Sequence, residues 1–112
     1  MELSIVSTIY NDAKTVNLLL NEFINVLKPL NITFEVILVN DASSDNSEEV
    51  IGNICNEYSF VKGISLARNY GQQIAVSAGI KYASGNYVLI IDGDLENPIS
   101  YIPELYLSLI HI

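Results

Sequence analysis

Short apolar runs alternate with amphipathic segments along the whole chain, and no other feature narrows the possible folds as much. Leu3–Ile9, Phe34–Val39, Val61–Leu66 and Tyr87–Ile91 are rich in Val, Ile and Leu and read as strands. Between them, Ala13–Leu27 carries helical spacing through Val16, Leu19, Leu20, Phe23, Ile24 and Leu27, and Lys28-Pro29 ends it. Ser47–Tyr58 is a second helix, with Asp45 and Glu48 resembling a capping box at its start. Gln72–Ala83 is a third, ended by Ser84-Gly85. A last helix is predicted over Pro98–Ile110, with Asn97 as cap, Pro98 in the first turn and Pro103 placed to bend it or shift its start.

Largely apolar strands, each followed by a helix, imply a Rossmann-like α/β fold: a mostly parallel sheet with helices on both faces. Right-handed crossovers then bring every strand's carboxyl end to one edge of the sheet, outside which ligands of such folds sit. The residues that follow the strands therefore share a rim. After the first come Tyr10, Asn11 and Asp12, and after the second Asn40, Asp41 and Ser43. Arg68, Asn69 and Gly71 follow the third, and Asp92, Asp94 and Glu96 the fourth.

The 112 residues suit one small domain that buries roughly 60–70% of its unfolded surface. A single cysteine, Cys55, excludes an internal disulfide and a cysteine-built metal site, and its apolar neighbours Ile51 and Ile54 mark it as a core thiol. No run is long enough to span a membrane and no signal sequence opens the chain, so a soluble, cytoplasmic domain is expected. The net charge of −8 argues against a general nucleic-acid surface. With only five basic residues, an anionic ligand would need a bound cation to supply much of the positive charge.

That need is met near the C-terminus, in Tyr87–Pro98, Y-V-L-I-I-D-G-D-L-E-N-P. In an extended segment Asp92 and Asp94 project to the same side with α-carbons about 7 Å apart. Such a pair repels by roughly 2–3 kcal/mol at an effective dielectric near 20. A divalent cation between the acids relieves the repulsion, and an oxygen-only set suits Mg²⁺ or Mn²⁺. The plainer alternative is a set of acids that cap a turn and the last helix. Asp41 is placed to accept from a base N–H or a ribose hydroxyl, or to close a turn onto Ser43 and Ser44. Tyr10 is either a surface for a base or an ordinary edge tyrosine, and Asn11 and Asp12 would equally cap the first helix. Arg68, the one basic residue on the rim, suits a uracil carbonyl or a phosphate, or else a surface salt bridge. Gly71, Ala75 and Gly79 put small residues on one helical face, which points first to close packing.

Two phosphate motifs are missing: T-I-Y-N-D-A-K-T stands where G-x-G-x-x-G would follow the first strand, and there is no G-K-[ST]. D-G-D after an apolar strand also suggests a haloacid dehalogenase-like phosphohydrolase with Asp92 as nucleophile, although that motif belongs on the first strand rather than the fourth. A nucleotide-binding module without chemistry is the other alternative.

Taken in order, S-T-I-Y-N-D, V-N-D-A-S-S-D, A-R-N-Y-G-Q-Q-I-A and D-G-D-L-E-N-P resemble the family-two glycosyltransferases of the GT-A fold. The third and fourth blocks are most similar to the polyprenyl-phosphate branch, which includes the dolichol-phosphate mannose synthases. The resemblance spans almost the entire chain. It implies a UDP- or GDP-linked sugar donor, a divalent metal, inversion at the anomeric carbon and an acceptor of the polyprenyl-phosphate type. By position, Tyr10 and Asp12 correspond to the motif framing the base, and Asp41 to the aspartate that binds it. Arg68 falls where an arginine approaches the nucleotide and Asp92 where an aspartate faces the ribose or sugar. Asp94 and Glu96 would be the metal ligands. Thr8, Asn40 and Glu96 depart from the usual proline, aspartate and glutamine, and the last adds charge that should tighten the metal. Family members continue for about as long again, with acceptor site and general base in that part. Residues 1–112 therefore read as the donor-binding part of a truncated domain, with no catalytic base of its own, and membrane association is left to a parent protein.

Overall fold

The structure, a computed structural model, describes residues 1–92 and 99–110, with backbone alone at 92, 109 and 110, and among these residues four strands alternate with four α-helices. The strands are β1 (Leu3–Ile9), β2 (Phe34–Asn40), β3 (Val61–Ser65) and β4 (Tyr87–Asp92). The helices are α1 (Ala13–Leu27), α2 (Ser47–Glu57), α3 (Gln72–Lys81) and α4 (Ile102–Ile110). All strand pairs are parallel, in the order β3-β2-β1-β4. The chain steps outward from β1 to β3 and then crosses back to the opposite flank for β4. Crossovers of one hand must therefore change faces, and α3 lies across the sheet from α1 and α2.

The pleat sorts the side chains accordingly. Leu3, Ile5, Ile9, Val36 and Leu38 join Val16, Leu19, Leu20, Phe23 and Leu27 of α1, Ile51 and Ile54 of α2, and Ile102 and Tyr106 of α4 in the larger core. Val6, Ile37 and Val39 point the other way, onto Ala75 of α3. The five buried residues of α1 recur every three to four positions, which is why its stripe faces inward. At 1.5–3 kcal/mol each, they remove apolar surface from water to the extent of about 10 kcal/mol, an upper bound before chain entropy.

Element ends differ from the sequence reading by one or two residues in most cases. The last helix differs more: its first turn, Ile99–Tyr101, is 3₁₀, and α4 begins at Ile102 with Pro103 in its first turn. Pro103 thus moves the α-helical start rather than bending the helix, because proline lacks an N–H that only later turns require. Asn97 and Pro98 lie outside the described residues. Asp45 does cap toward α2, its Oδ1 accepting from Ser47 N at 2.9 Å, although Asn46 occupies the cap position itself.

The small residues of α3 separate into two roles. Ala75 and Gly79 lie against the sheet, and a Cβ at Gly79 would overlap Val6 Cγ1 and come within 3.0 Å of Val39 Cγ2. Gly71 has open space around it but a φ of +95°, so backbone conformation, not packing, selects glycine there. Cys55 is half-buried against the larger core, and burial raises its thiol pKa. Both fit a packing role.

A polar cluster closes the amino edge of the sheet. Glu35 is 2% exposed, and its Oε2 accepts from Ser4 Oγ at 2.5 Å and Ser84 N at 2.6 Å. Its Oε1 pairs with Lys62 Nζ at 2.8 Å. Ser4 Oγ in turn accepts from Gly85 N at 2.8 Å. One carboxylate thereby joins β1, β2, β3 and the α3–β4 turn. On the flank, β4 pairs with β1 alone among the described residues, and Ile90 is 48% exposed.

Candidate functional site

The strand order reverses between β1 and β4, and this reversal is the point at which open α/β sheets bind ligands. Thr8 is paired with Asp92 there, so the β1 and β4 carboxyl ends lie side by side. The β4 backbone thus delivers Asp92 to the rim, while Asp94 and Glu96, the expected metal ligands, lie outside the described residues. Among the described residues no three His, Cys, Asp or Glu side chains converge as a metal site would require. The donor set D-G-D-L-E offers carboxylate oxygen alone, which fits Mg²⁺ or Mn²⁺ and not a thiolate-seeking metal.

The second strand places Asp41 beside the first. Asp41 N donates to Ile9 O at 2.9 Å, extending the ladder one residue past β2. The next residue, Ala42, sits at φ 55°, a left-handed conformation that turns the chain sharply away from the rim. Asp41 is 5% exposed, yet it does not close the turn onto the serines. Ser43 N instead donates to Asn40 Oδ1 at 3.0 Å, and Ser44 N to Asn11 Oδ1 at 2.7 Å. Asp41 Oδ1 reaches across to the β3–α3 loop and accepts from Tyr70 N at 3.1 Å. The bond fixes the carboxylate's orientation.

Tyr70 holds a second rim residue. The Arg68 guanidinium carbon lies 5.7 Å from the centroid of its ring, within the range of a cation–π contact. Among the described residues Arg68 makes no ion pair with a carboxylate. Gly71 N donates to Asn69 Oδ1 at 3.1 Å, tightening the turn that opens α3.

On the first loop Tyr10 is 53% exposed, with its ring available at the edge. Asp12 occupies the cap position of α1 but makes no side-chain cap bond, and its carbonyl receives Thr15 N and Thr15 Oγ1, each at 3.1 Å. Asn11 does not cap α1 either; at φ 50° its side chain crosses to the second loop. The structure thus gathers Tyr10, Asp12, Asp41, Arg68 and the backbone of Asp92 on one edge, with Asp41 and Arg68 tied through Tyr70. Tyr70 was absent from the sequence-based candidates. Its signal was slight: an aromatic residue two positions after the rim's one cation.

Comparison with known proteins identifies the family and the fold. Residues 4–111 match the sequence model of Glycosyl transferase family 2. Over 105 residues the chain is 41% identical to the undecaprenyl-phosphate 4-deoxy-4-formamido-L-arabinose transferase of Proteus mirabilis, a match covering 93% of this chain and 32% of that protein. The chain thus spans about a third of the length of that relative. Among solved structures, the mannosyltransferase PcManGT of Pyrobaculum calidifontis in complex with GDP-Man and Mn²⁺ superposes with a TM-score of 0.79 at 19% identity, covering 96% of this chain and 31% of that one. S. aureus TarS 1-349 in complex with UDP superposes with a TM-score of 0.71 at 28% identity, covering 84% and 28%. The fold is that of GT-A glycosyltransferases, and the phosphohydrolase alternative, which needs its D-x-D on the first strand, finds no support here.

Proposed function

Because the chain belongs to glycosyl transferase family 2, we propose that residues 1–112 form the donor-binding part of a transferase that moves a sugar from a nucleoside diphosphate to an acceptor, with inversion. The carrying observation is the position of Asp41: nearly buried, at the end of β2, with one carboxylate oxygen held by Tyr70 N. A carboxylate oriented this way accepts from a base N–H, and the adjacent exposed ring of Tyr10 offers the base a flat apolar surface. Asp12 borders the same loop. Arg68 supplies the rim's positive charge to a base carbonyl or a phosphate oxygen. Asp92 faces the ribose or sugar in this reading.

Asp94 and Glu96 would hold Mg²⁺ or Mn²⁺, which when bound offsets the negative charge of the departing nucleoside diphosphate. Support comes from the oxygen-only donor set, the overall charge of −8, and the Mn²⁺ in the PcManGT complex. The acceptor is proposed to be a polyprenyl phosphate, on the strength of the Proteus mirabilis relative. The parent protein would then act at the cytoplasmic face of a membrane, although no helix among the described residues is itself long and apolar enough to cross one. The general base and acceptor site are assigned outside residues 1–112, so the chain alone is expected to bind nucleotide and transfer little or no sugar.

Calorimetric titration of the chain with UDP and with GDP, with and without Mn²⁺, tests this directly. Metal-dependent binding of one nucleotide, abolished in Asp94→Ala and weakened in Asp41→Asn, is the expected result. Binding that ignores both the metal and Asp94→Ala would refute the donor-site reading.

A further inference from the structure

We propose that Asn11 and Asp45 are positioning residues for the nucleotide site, forming a reciprocal latch that sets Tyr10 and Asp12 on the first loop against Asp41 on the second. The proposal rests on the nucleotide-binding reading above. Asn11 Oδ1 accepts from Ser44 N at 2.7 Å, Ser44 Oγ at 3.2 Å and Asp45 N at 3.4 Å. Asn11 N donates in the same direction, to Ser43 Oγ at 2.9 Å. Asp45 returns the contact: its Oδ2 accepts from Ala13 N at 3.2 Å, and its Oδ1 is held by Ser47 Oγ at 2.5 Å and Ser47 N at 2.9 Å. Each loop therefore satisfies donors of the other across a sequence separation of 32 to 34 residues.

The bracketing is what gives the latch a role beyond folding. Asn11 stands between Tyr10 and Asp12, and its partners Ser43, Ser44 and Asp45 begin two residues after Asp41. Neither rim loop is held by apolar burial at these positions: Tyr10, Asn11, Ser44 and Asp45 are exposed. Hydrogen bonds therefore set their relative position, and a left-handed residue with a short acceptor side chain is what the first loop needs to make them. Asparagine, like aspartate, tolerates φ near 50°, and here it accepts from three donors. A latch of this kind lowers the ordering cost of binding without itself touching the ligand.

Asn11→Gly separates the two properties, since glycine keeps the left-handed backbone and loses the acceptor, whereas Asn11→Asp keeps both. Titration with UDP and GDP in the presence of Mn²⁺, alongside urea unfolding, reads the result. Asn11→Gly is expected to remain folded and bind nucleotide about tenfold more weakly, with Asn11→Asp within about threefold of the unsubstituted chain. If Asn11→Gly fails to fold, Asp45→Asn takes its place, because an amide nitrogen facing Ala13 N opens the return contact while Oδ1 still serves Ser47; the same weakening is expected. A folded Asn11→Gly that binds as tightly as the unsubstituted chain, or an Asn11→Asp no better than Asn11→Gly, overturns the latch and leaves the nucleotide reading standing. If the unsubstituted chain binds neither nucleotide, the functional reading falls and the latch falls with it.

Discussion

Replacement of Glu35 should separate the worth of a buried acceptor from that of an ion pair. Both short hydrogen bonds, from Ser4 Oγ and Ser84 N, converge on Oε2, while Lys62 Nζ meets Oε1. In Glu35→Ala the Ser4 hydroxyl and the Ser84 amide lose their acceptor, at about 1–3 kcal/mol each for a donor left without a partner. Lys62, half-exposed at 47%, can turn to water and adds little. The expected loss is about 3 kcal/mol, on the order of a third of the stability of a typical small domain, and near 4 °C of melting temperature per kcal/mol. In Glu35→Gln the amide oxygen can occupy the Oε2 position and keep both bonds, so the loss should be about 1 kcal/mol or less.

The pH dependence of the same pair has a definite sign. Burial alone would raise the Glu35 pKa, but the bonds from Lys62, Ser4 and Ser84 together hold it below the usual 4.5. A carboxylate with a lowered folded pKa contributes stability that is complete above the unfolded value and disappears as pH falls through the folded one. The deficit of Glu35→Gln should therefore narrow as the pH falls below the usual 4.5 and through the lowered folded value. Urea unfolding followed by circular dichroism across that range measures both effects. A Glu35→Gln variant as unstable as Glu35→Ala would show that the ion pair, and not the acceptor, holds the edge together. An alanine variant that loses less than about 1 kcal/mol would refute the whole account of the cluster.

Two further substitutions probe the core. Gly79→Ala should destabilise by about 1–3 kcal/mol despite alanine's better helix propensity, because its Cβ overlaps Val6 Cγ1; a compensating Val6→Ala should recover part of the loss, and a gain in urea midpoint for Gly79→Ala alone would contradict the packing. Ser7 is fully buried and its Oγ has no hydrogen-bond partner among the described residues, so Ser7→Ala should raise stability by about 1 kcal/mol; calorimetric melting that shows a clear fall would reveal a partner for that hydroxyl.

Periodicity carried most of the fold into view from the residues alone. Apolar strands of five to seven residues and a stripe such as that of α1 are repeated local signals, and the parallel sheet and shared rim follow from them by connection rules. The features that stayed hidden are not periodic. Glu35 precedes the apolar run Val36–Val39, and nothing in F-E-V-I-L-V-N discloses that its partners come from β1, β3 and a turn 49 residues on. Asn11 read as a helix cap because caps are local, whereas its bonds cross between loops. Tyr70 acts on Asp41 through a backbone N–H, which carries no side-chain signature at all. The candidate ligands Asp94 and Glu96 are legible only as acids spaced along the end of an apolar run, which the structure leaves partly exposed on the sheet's flank.

The β4 flank has a consequence for anyone who handles this chain. Among the described residues the outer edge of β4 has no partner strand and carries a half-exposed isoleucine, an arrangement that invites edge-to-edge stacking as concentration rises. Weak nucleotide titrations that call for millimolar protein thus risk reporting self-association heat in place of ligand heat. A charged side chain at position 90 would blunt that tendency while leaving the three opposite strands undisturbed.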